Sequence, residues 1–314
     1  MSLRLTLTAI VLAVLTACGP SYQEEKEMSR QQRLKAQRED SAALKVAVTP
    51  TLDCLPFYVA EHYGMFDSLR CDIRLRCFTS HIDCDSALEN GKVEGAITDI
   101  VRASRLEDRG MRLDYPIATD TYWQLIANKT SRINELRHLD KKMVAMTRHS
   151  ATDVLVDRAA DSARLEKERL FRIQANDVGV RLLMLKNNIV DAVALTEPQA
   201  TAARTDKNKV LMDTRNLGMR CGVVAFRHFE PEDTARSRQM AVLLKAYDMA
   251  CDSINKYGIH AYDDIIAQTC GVSDKVVKAL PKKTKFKHAA PPKEENMEWA
   301  AKWYKQRKHE DYDI

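Results

Sequence analysis

Apolar and polar positions follow two alternating spacings from Leu44 to about Leu217. Short β-rich runs are each followed by a segment with helical spacing, and the runs are LKVAVT, CDIRLRCF, EGAIT, KMVAM, LFRIQ and VDAVALT. This alternation predicts an α/β architecture with open, mainly parallel sheets and helices on both faces. Such sheets bind ligands at the carboxyl ends of their strands. The turn from Pro50 to Leu55, directly after the first strand, is therefore a candidate ligand-binding turn.

The pattern changes from Pro231 onward, where no further β-rich run occurs. Successive amphipathic segments are DTARSRQMAVLLKAYDMACDSINKYG, AYDDIIAQTCG, SDKVVKALP and ENMEWAAKWYKQ, with stops at Gly258, Gly271 and Pro281. We expect this helical C-terminal region to pack back against an earlier sheet.

The first residues carry Arg4 and then an apolar or hydroxyl run from Leu5 to Leu15. The run is shorter than the roughly 20 residues of a membrane-spanning helix, so residues 1–17 are predicted to be a removable secretory signal. A short buried helix is the alternative. Residues 18–43 are rich in Gln, Glu, Lys and Arg and almost free of apolar side chains, which predicts a tether, without excluding partial helix.

Composition and charge narrow the class of protein. With 314 residues and 45% hydrophobic content, the chain can form one large domain or two lobes. The net charge of +5 is mild, and the only dense basic cluster is KKTKFKH at Lys282 to His288. A nucleic-acid partner is not predicted, because there is no basic stripe with interleaved aromatic residues and no known binding module.

Seven cysteines remain when Cys18 is set aside, so at least one thiol is free or pairs between molecules. No C-x-x-C spacing occurs, which argues against a zinc site, and most of these residues are interpreted as small apolar core residues. The chain also lacks the sequences G-x-S-x-G, H-E-x-x-H, a P-loop and G-x-G-x-x-G. We therefore predict no metal, no cofactor and no enzymatic activity.

Several segments in order resemble the substrate-binding proteins of nitrate, sulfonate, taurine and thiamine-precursor importers. The resemblance covers about residues 44–305 and is carried by LDCLPFYVAEHYGMFDS, SALENGKVEGAITD, INELRHLDKKMVAM, LMLKNNIVDAVALTEPQA, AVLLKAYDMACDSINKYG and GVSDKVVKALP. It implies the type 2 periplasmic-binding-protein fold, in which two lobes close on a ligand. Lobe 1 would be residues 44–119 plus 223–314, and lobe 2 residues 120–222, in a monomer.

The sequence LTAC resembles a bacterial lipobox, which implies lipidation of Cys18 and an otherwise soluble protein on the periplasmic side of the cell envelope. The family resemblance implies a small polar organic ligand, anionic or zwitterionic, and an ABC permease with its ATPase as partners. Two alternatives remain open: a sensory or structural lipoprotein without a transporter, and an enzyme like thiamine-pyrimidine synthases, whose cysteine-rich iron motif this sequence lacks.

In lobe 1, Pro56 starts a helix, so the amides around it could bind an anion or a carbonyl. Cys54 and Phe57 are the nearest side chains, although Phe57 is as well explained by the core. In TSHIDCDSAL, His81 and Asp83 stand where the family has small residues, which would narrow the pocket or add a titratable contact. Asp99 caps the next helix or contacts the ligand, capping being favoured.

In lobe 2, the turn MTRHSATD places Arg148, His149 and Ser150 at a helix start, an arrangement that favours anions, although capping alone would explain one hydroxyl. Tyr122 and Trp123 could stack on a planar ligand or belong to the core. Glu197 opens a later helix and could hold an amine or only complement the helix dipole.

Overall fold

The computed structural model describes residues 22–68, 71–119, 121–230 and 232–308. The predicted signal at residues 1–17 and the predicted lipidation at Cys18 lie outside them. The chain divides into two compact units at Ala43. In the first unit, helix α1 spans Tyr22–Ala42, where Gln, Glu, Lys and Arg are all good helix formers.

The second unit, Leu44–Ile314, contains two five-stranded sheets. The first sheet has the strand order β2-β1-β3-β10-β4 and consists of β1 (Leu44–Val48), β2 (Ile73–Cys77), β3 (Gly95–Asp99), β4 (Leu113–Ala118) and β10 (Gly222–Arg227). Strand β1 pairs in parallel with β2 and β3, whereas β10 runs antiparallel to β3 and β4. The helices of this half are α2 (Leu55–His62), α3 (Met65–Ser68), α4 (His81–Glu89) and α5 (Ile100–Asp108).

The second sheet has the order β7-β6-β8-β5-β9 and consists of β5 (Gln124–Ala127), β6 (Met143–Met146), β7 (Phe171–Gln174), β8 (Ala192–Leu195) and β9 (Lys209–Asp213). Its helices are α6 (Ala151–Ala163), α7 (Val178–Lys186) and α8 (Gln199–Thr205). Strand β6 is parallel to β7 and β8, and β5 is antiparallel to β8 and β9. Both sheets are therefore mainly parallel with one antiparallel strand, as predicted.

The chain passes between the sheets twice, from β4 to β5 and from β9 to β10, so each sheet forms its own lobe. Strand β10 is buried over Gly222–Phe226. Its pairing with β3 explains why position 95 is a glycine. A Cβ on Gly95 would lie 2.2 Å from the ring of Phe226, so only glycine allows this close pairing of β3 and β10.

The C-terminal region is helical, as predicted, with α9 (Thr234–Tyr257), α10 (Asp263–Cys270), α11 (Asp274–Lys278) and α12 (Glu294–Arg307). Helix α9 packs on α2, where the rings of Tyr247 and Phe57 are 5.0 Å apart. Helix α12 packs on α5 of the first lobe, while Trp303 donates a hydrogen bond of 3.0 Å to Asp157 on α6 of the second. The region thus contacts both lobes.

Three apolar clusters fill the second unit, and all their residues come from position 44 onward. Because these cores close within the unit, we expect residues 44–314 to fold without the preceding residues. Among the described cysteines all seven thiols are free; Cys54, Cys84, Cys221, Cys251 and Cys270 are buried, and Cys77 is exposed. No helix in the described ranges is both long and apolar enough to cross a membrane.

Candidate functional site

A cavity lies between the two lobes, where the carboxyl ends of strands from both sheets meet. Its empty space, including the part open to solvent, is about 390 Å³. The lining is polar and rich in hydroxyl groups: Thr49, Thr51, Thr79, Ser80, His81, Asp99, Arg102, Trp123, Thr147, Ser150, Thr152, Asn176, Val178, Arg181 and Thr196. The cavity therefore occupies the place where open parallel sheets bind ligands.

Three helices begin at this cavity. Ser80 caps α4 by accepting a hydrogen bond from Asp83 N, and Ser150 caps α6 by accepting one from Thr152 N. Asp99 caps α5 by accepting from Val101 N and Arg102 N, which confirms the capping role predicted for it. Helix N-termini carry partial positive charge, so the local field favours a negatively charged ligand.

The strongest charge signal in the cavity is Arg181, on α7. Its side chain is only 5% exposed, and its Nε and Nη1 atoms are buried without hydrogen-bond partners. Burial lowers its pKa to about 10, with the charge of Asp177 opposing the shift. A buried cation without a hydrogen-bonded counter-charge is costly. An anion in the cavity would remove that cost.

Arg102, the second arginine of the lining, already has a carboxylate partner within the protein. Arg102 Nε donates to Asp85 Oδ2 at 2.5 Å, and both side chains are buried. Burial raises the pKa of Asp85, and the charge of Arg102 opposes this. Arg102 therefore has a protein partner, whereas Arg181 is available to a ligand.

Four of the predicted residues line the cavity: His81, Asp99, Trp123 and Ser150. Trp123 is only 2% exposed and supplies the one large aromatic wall of this lining. His81 Nδ1 lies 3.9 Å from Asp99 Oδ2. The two side chains therefore lie side by side in the first-lobe part of the lining.

Cys54 and Phe57 belong to the core of the first lobe and do not line the cavity. Thr49 N donates to Cys54 Sγ at 3.4 Å, and burial raises the pKa of the thiol well above its usual value, so Cys54 stays neutral. Asp83 is also outside the lining; it is exposed and accepts a hydrogen bond from Ser80 Oγ at 2.7 Å. Its role here is at the start of α4.

Tyr122 and Glu197 lie beside the cavity in a network of their own. Glu197 accepts hydrogen bonds from Tyr122 Oη at 2.7 Å, Arg204 Nη2 at 2.6 Å and Thr201 N at 2.9 Å. The guanidinium of Arg215 covers the Tyr122 ring at 3.7 Å. Both carboxylate oxygens of Glu197 thus hold this network together. Neither Tyr122 nor Glu197 lines the cavity, and the amine contact of Glu197 stays a prediction.

Arg148 and His149 stand next to Ser150 but outside the cavity lining. Arg148 N donates to Gln174 Oε1 at 3.0 Å. His149 has a positive φ of 50°, its N–H donates to Asp153 Oδ2 at 2.9 Å, and its ring meets the edge of Tyr304. Burial lowers the pKa of His149. The structure therefore does not bring Arg148 or His149 into the cavity lining, whose arginines are Arg102 and Arg181.

The sequence contains a signal for Arg181 that the alternation of strand and helix spacings does not reveal. A single arginine interrupts the apolar run VGVRLLML, four residues after the helix-capping Asp177. A charged side chain on the buried face of a helix needs a partner, so this position could have been identified as a candidate.

The lobes are hydrogen-bonded to each other beside the cavity. Leu52 N donates to Glu197 O, and Gln199 Nε2 donates to Pro50 O, both at 2.8 Å. The turn after β1, singled out from the sequence, therefore joins the first lobe to the second. These contacts indicate a closed arrangement of the lobes.

No protein-family model matches the chain, and no curated protein is significantly similar to it in sequence. Solved structures are similar. The alkanesulfonate-binding protein of Xanthomonas axonopodis pv. citri, bound to MOPS, has a TM-score of 0.72 at 16% identity over 85% of this chain and 93% of that chain. The periplasmic aliphatic sulphonate-binding protein of Escherichia coli has a TM-score of 0.71 at 16% identity over 87% of this chain and 94% of that chain.

The chain has the periplasmic-binding-protein fold. The periplasmic nitrate-binding protein of Synechocystis PCC 6803 shares the fold as well, with a TM-score of 0.64 at 11% identity over 84% of this chain and 80% of that chain. The similarity confirms the fold that the sequence resemblance implied, and these identities do not transfer a ligand. In the described ranges, no three His, Cys, Asp or Glu residues are placed to hold a metal ion.

Proposed function

We propose that this protein is an extracytoplasmic solute-binding protein that captures a small anion between its lobes and delivers it to an ABC importer. The observation that carries the proposal is Arg181, a buried guanidinium that lines the interlobe cavity and has no hydrogen-bonded counter-charge among the described residues. An oxyanion there would accept charge-assisted hydrogen bonds from it.

The rest of the cavity suits the same ligand. Hydroxyl groups of Thr79, Thr147 and Thr196 line the cavity and can donate to oxygen atoms, and the helix starts add a favourable field. Because the hydroxyls come from both lobes, an anion would bridge them and stabilise the closed state. Ligand binding and lobe closure would then be one equilibrium, with release on opening.

The partners and the location follow from the fold and from the N-terminal sequence. Two similar structures are named as sulfonate-binding proteins and one as a nitrate-binding protein, and these ligands are anions. An ABC permease with its ATPase is the partner that we infer by analogy with them. Lipidation at Cys18 would keep the protein on the membrane, facing the periplasm.

The proposal is tested by thermal unfolding of residues 44–314 with sulfate, nitrate, methanesulfonate and phosphate. A ligand that binds only the folded state stabilises it by RT ln(1 + [L]/Kd), about 2.7 kcal/mol at 100 times Kd. We expect one of these anions to raise Tm in this way. If none does, the cavity does not bind small anions and the proposal fails.

Two arginine variants decide which side chain binds the anion. Arg181→Gln should weaken binding by about 1.5 to 3 kcal/mol, because a hydrogen bond to a charged group is lost, and calorimetric titration measures this. Without ligand, Arg181→Gln should be at least as stable as the parent, since an unpaired buried charge is removed. The matched control, Arg148→Gln, should leave the affinity unchanged. The opposite result would assign the role to Arg148, as the sequence alone suggested.

A further inference from the structure

Residues 275–293, which we call the lysine segment, concentrate the positive charge of the protein. They contain seven lysines and no aspartate, glutamate or arginine. Subtracting these seven charges from the net +5 of the chain leaves −2 for all other residues. The positive net charge therefore comes from this one segment, which follows α10 and leads into α12.

The lysines of the segment are exposed residues, although Lys285 Nζ donates to Asn255 O at 2.6 Å, while apolar residues hold the segment on the protein. All seven lysines are exposed, whereas Val276, Val277 and Leu280 are buried. Phe286 packs against the core of the first lobe. This division of apolar and charged positions anchors the segment and leaves its amines on the surface.

Backbone hydrogen bonds fix the second half of the segment to neighbouring elements. Phe286 N donates to Asn255 Oδ1 at 3.0 Å, and Asn255 Nδ2 returns a bond to Phe286 O at 2.7 Å. Ala118 N, at the end of β4, donates to Ala290 O at 2.7 Å. Although the segment is mostly non-helical, its lysines are thus presented from an ordered backbone.

Within the described ranges, most of these cations have no acidic partner. No salt bridge to a carboxylate is formed by Lys275, Lys278, Lys282, Lys283 or Lys285, and the pair of Lys293 with Glu295 is exposed. Unpaired surface lysines contribute little to the stability of the fold. Their concentration in an anchored segment without acids is better explained by an external anionic surface.

The residue types favour a lipid surface over a protein pocket. Arginine, which recognises carboxylates and phosphates in fixed bidentate geometry, is absent, and lysine acts as a hydrated point charge that suits laterally mobile headgroups. At the adjoining end of α9, Lys256 adds a further exposed cation, and Tyr257 adds a ring that is 63% exposed. Tyrosine is enriched at membrane interfaces.

We propose that the lysine segment docks the protein on a surface of anionic phospholipid headgroups. A lipid anchor at Cys18 would hold the protein at the membrane without fixing its orientation. The segment would add an electrostatic contact to that proposed anchor. It would also orient the protein, because the segment is fixed to β4 and α9 and cannot turn independently of the lobes.

The test uses residues 44–314, so that no acyl chain contributes, and co-sedimentation with lipid vesicles. We expect binding to vesicles with about 30% phosphatidylglycerol at about 0.05 M salt, and none to pure phosphatidylcholine. Raising the salt to about 0.5 M should remove the binding, because the Debye length then falls to a few ångströms. Equal binding to both lipids, or none to either, overturns the proposal; the latter result would point to a protein partner instead.

A pair of charge-matched variants locates the contact. Neutralising four lysines of the segment should weaken binding to the anionic vesicles at least about tenfold, since each lysine near the surface contributes roughly a fivefold factor; the changes are Lys275→Gln, Lys278→Gln, Lys282→Gln and Lys283→Gln. The control removes four other exposed lysines by Lys141→Gln, Lys207→Gln, Lys209→Gln and Lys305→Gln and should bind nearly as the parent does. Equal losses in the two variants would show that only net charge matters. Because no small anion takes part, this result is independent of the ligand test.

Discussion

At the scale of single residues, most of the buried charges named above have a hydrogen-bonded partner of opposite charge among the described residues, and Arg181 does not. Arg102 has a carboxylate partner in Asp85, and Asp157 accepts from Arg172 Nη2 at 2.6 Å and from Trp303 Nε1 at 3.0 Å. These buried charges have oppositely charged partners inside the protein. Arg181 is left incomplete at the cavity, and a buried group without a partner is a recognised mark of a functional position.

Asp153 makes a pH-dependent contribution that can be measured. Its side chain is fully buried on α6, facing Arg172, Asp157, Arg307 and the N–H of His149, and burial raises its pKa from 3.8 to about 6. Between about pH 4 and 6 the folded state therefore keeps a proton that the unfolded state releases, so this residue's contribution to stability falls as the pH rises through that range.

We expect Asp153→Asn to remove that slope, because the amide does not titrate and its oxygen can still accept from His149 N. Urea unfolding of parent and variant at several pH values checks this. The parent should lose stability relative to the variant between about pH 4 and 6. Parallel stability curves would show that the pKa of Asp153 is not raised.

At the scale of elements, helix α12 joins the two lobes from outside the cavity. It packs on α5, whose N-cap Asp99 lines the cavity, and it binds Asp157 on α6, whose N-cap Ser150 lines the cavity from the other lobe. Arg307 Nη1 also lies 3.1 Å from Asp157 Oδ2, and both side chains are buried. Helix α12 therefore contacts both helices whose first turns border the cavity.

Trp303→Phe tests this contact, because it removes the indole N–H and keeps most of the apolar ring. The loss of a donor to the buried carboxylate of Asp157 should lower the free energy of unfolding by about 1 to 3 kcal/mol, as measured by chemical denaturation. Lys293→Gln serves as the control: its pair with Glu295 is more than 70% exposed on both sides, so the change should cost less than about 1 kcal/mol. Similar losses in both variants would contradict a special role for Asp157.

The elements also show where sequence periodicity succeeds and where it stops. Strands β1, β3 and β8 are wholly buried and each precedes a helix, so the alternation of spacings identifies them. Strands β5 and β10 could not be identified in this way, because β5 leads to the next strand without an intervening α-helix and β10 pairs with β3 from far along the chain. Likewise, Ser150 is recognisable from a local capping pattern. That Arg181 has no hydrogen-bonded counter-charge in the described ranges can be seen only in the fold, because it depends on which distant segments surround the side chain.

At the scale of the whole molecule, the proposed binding would depend on an equilibrium between open and closed lobes. The closed arrangement is held beside the cavity by Leu52 N to Glu197 O, a backbone bond, and by Gln199 Nε2 to Pro50 O. Only the second can be removed by changing a side chain. Gln199 itself is buried and does not line the cavity.

Gln199→Ala should therefore shift the equilibrium toward the open state. We expect the affinity for the identified anion to fall about fivefold, corresponding to one net hydrogen bond of about 1 kcal/mol. Small-angle X-ray scattering of the free protein should show a larger radius of gyration. As a control, Thr205→Ala removes a hydrogen bond within the same region of chain, from Thr205 Oγ1 to Ala202 O, and should change neither quantity. An unchanged affinity in Gln199→Ala would exclude this contact from closure.

If the protein is exported, as proposed, the free cysteines of the second unit have a consequence for its folding. Five of the seven described thiols are buried in the native state, and burial raises the pKa values of Cys84 and Cys221 as well as that of Cys54. Native thiols of this kind resist oxidation, but in a newly translocated chain they are all accessible. A bridge between cysteines that are free in the native state would have to be reduced before the chain could fold, so we expect folding to precede disulfide formation.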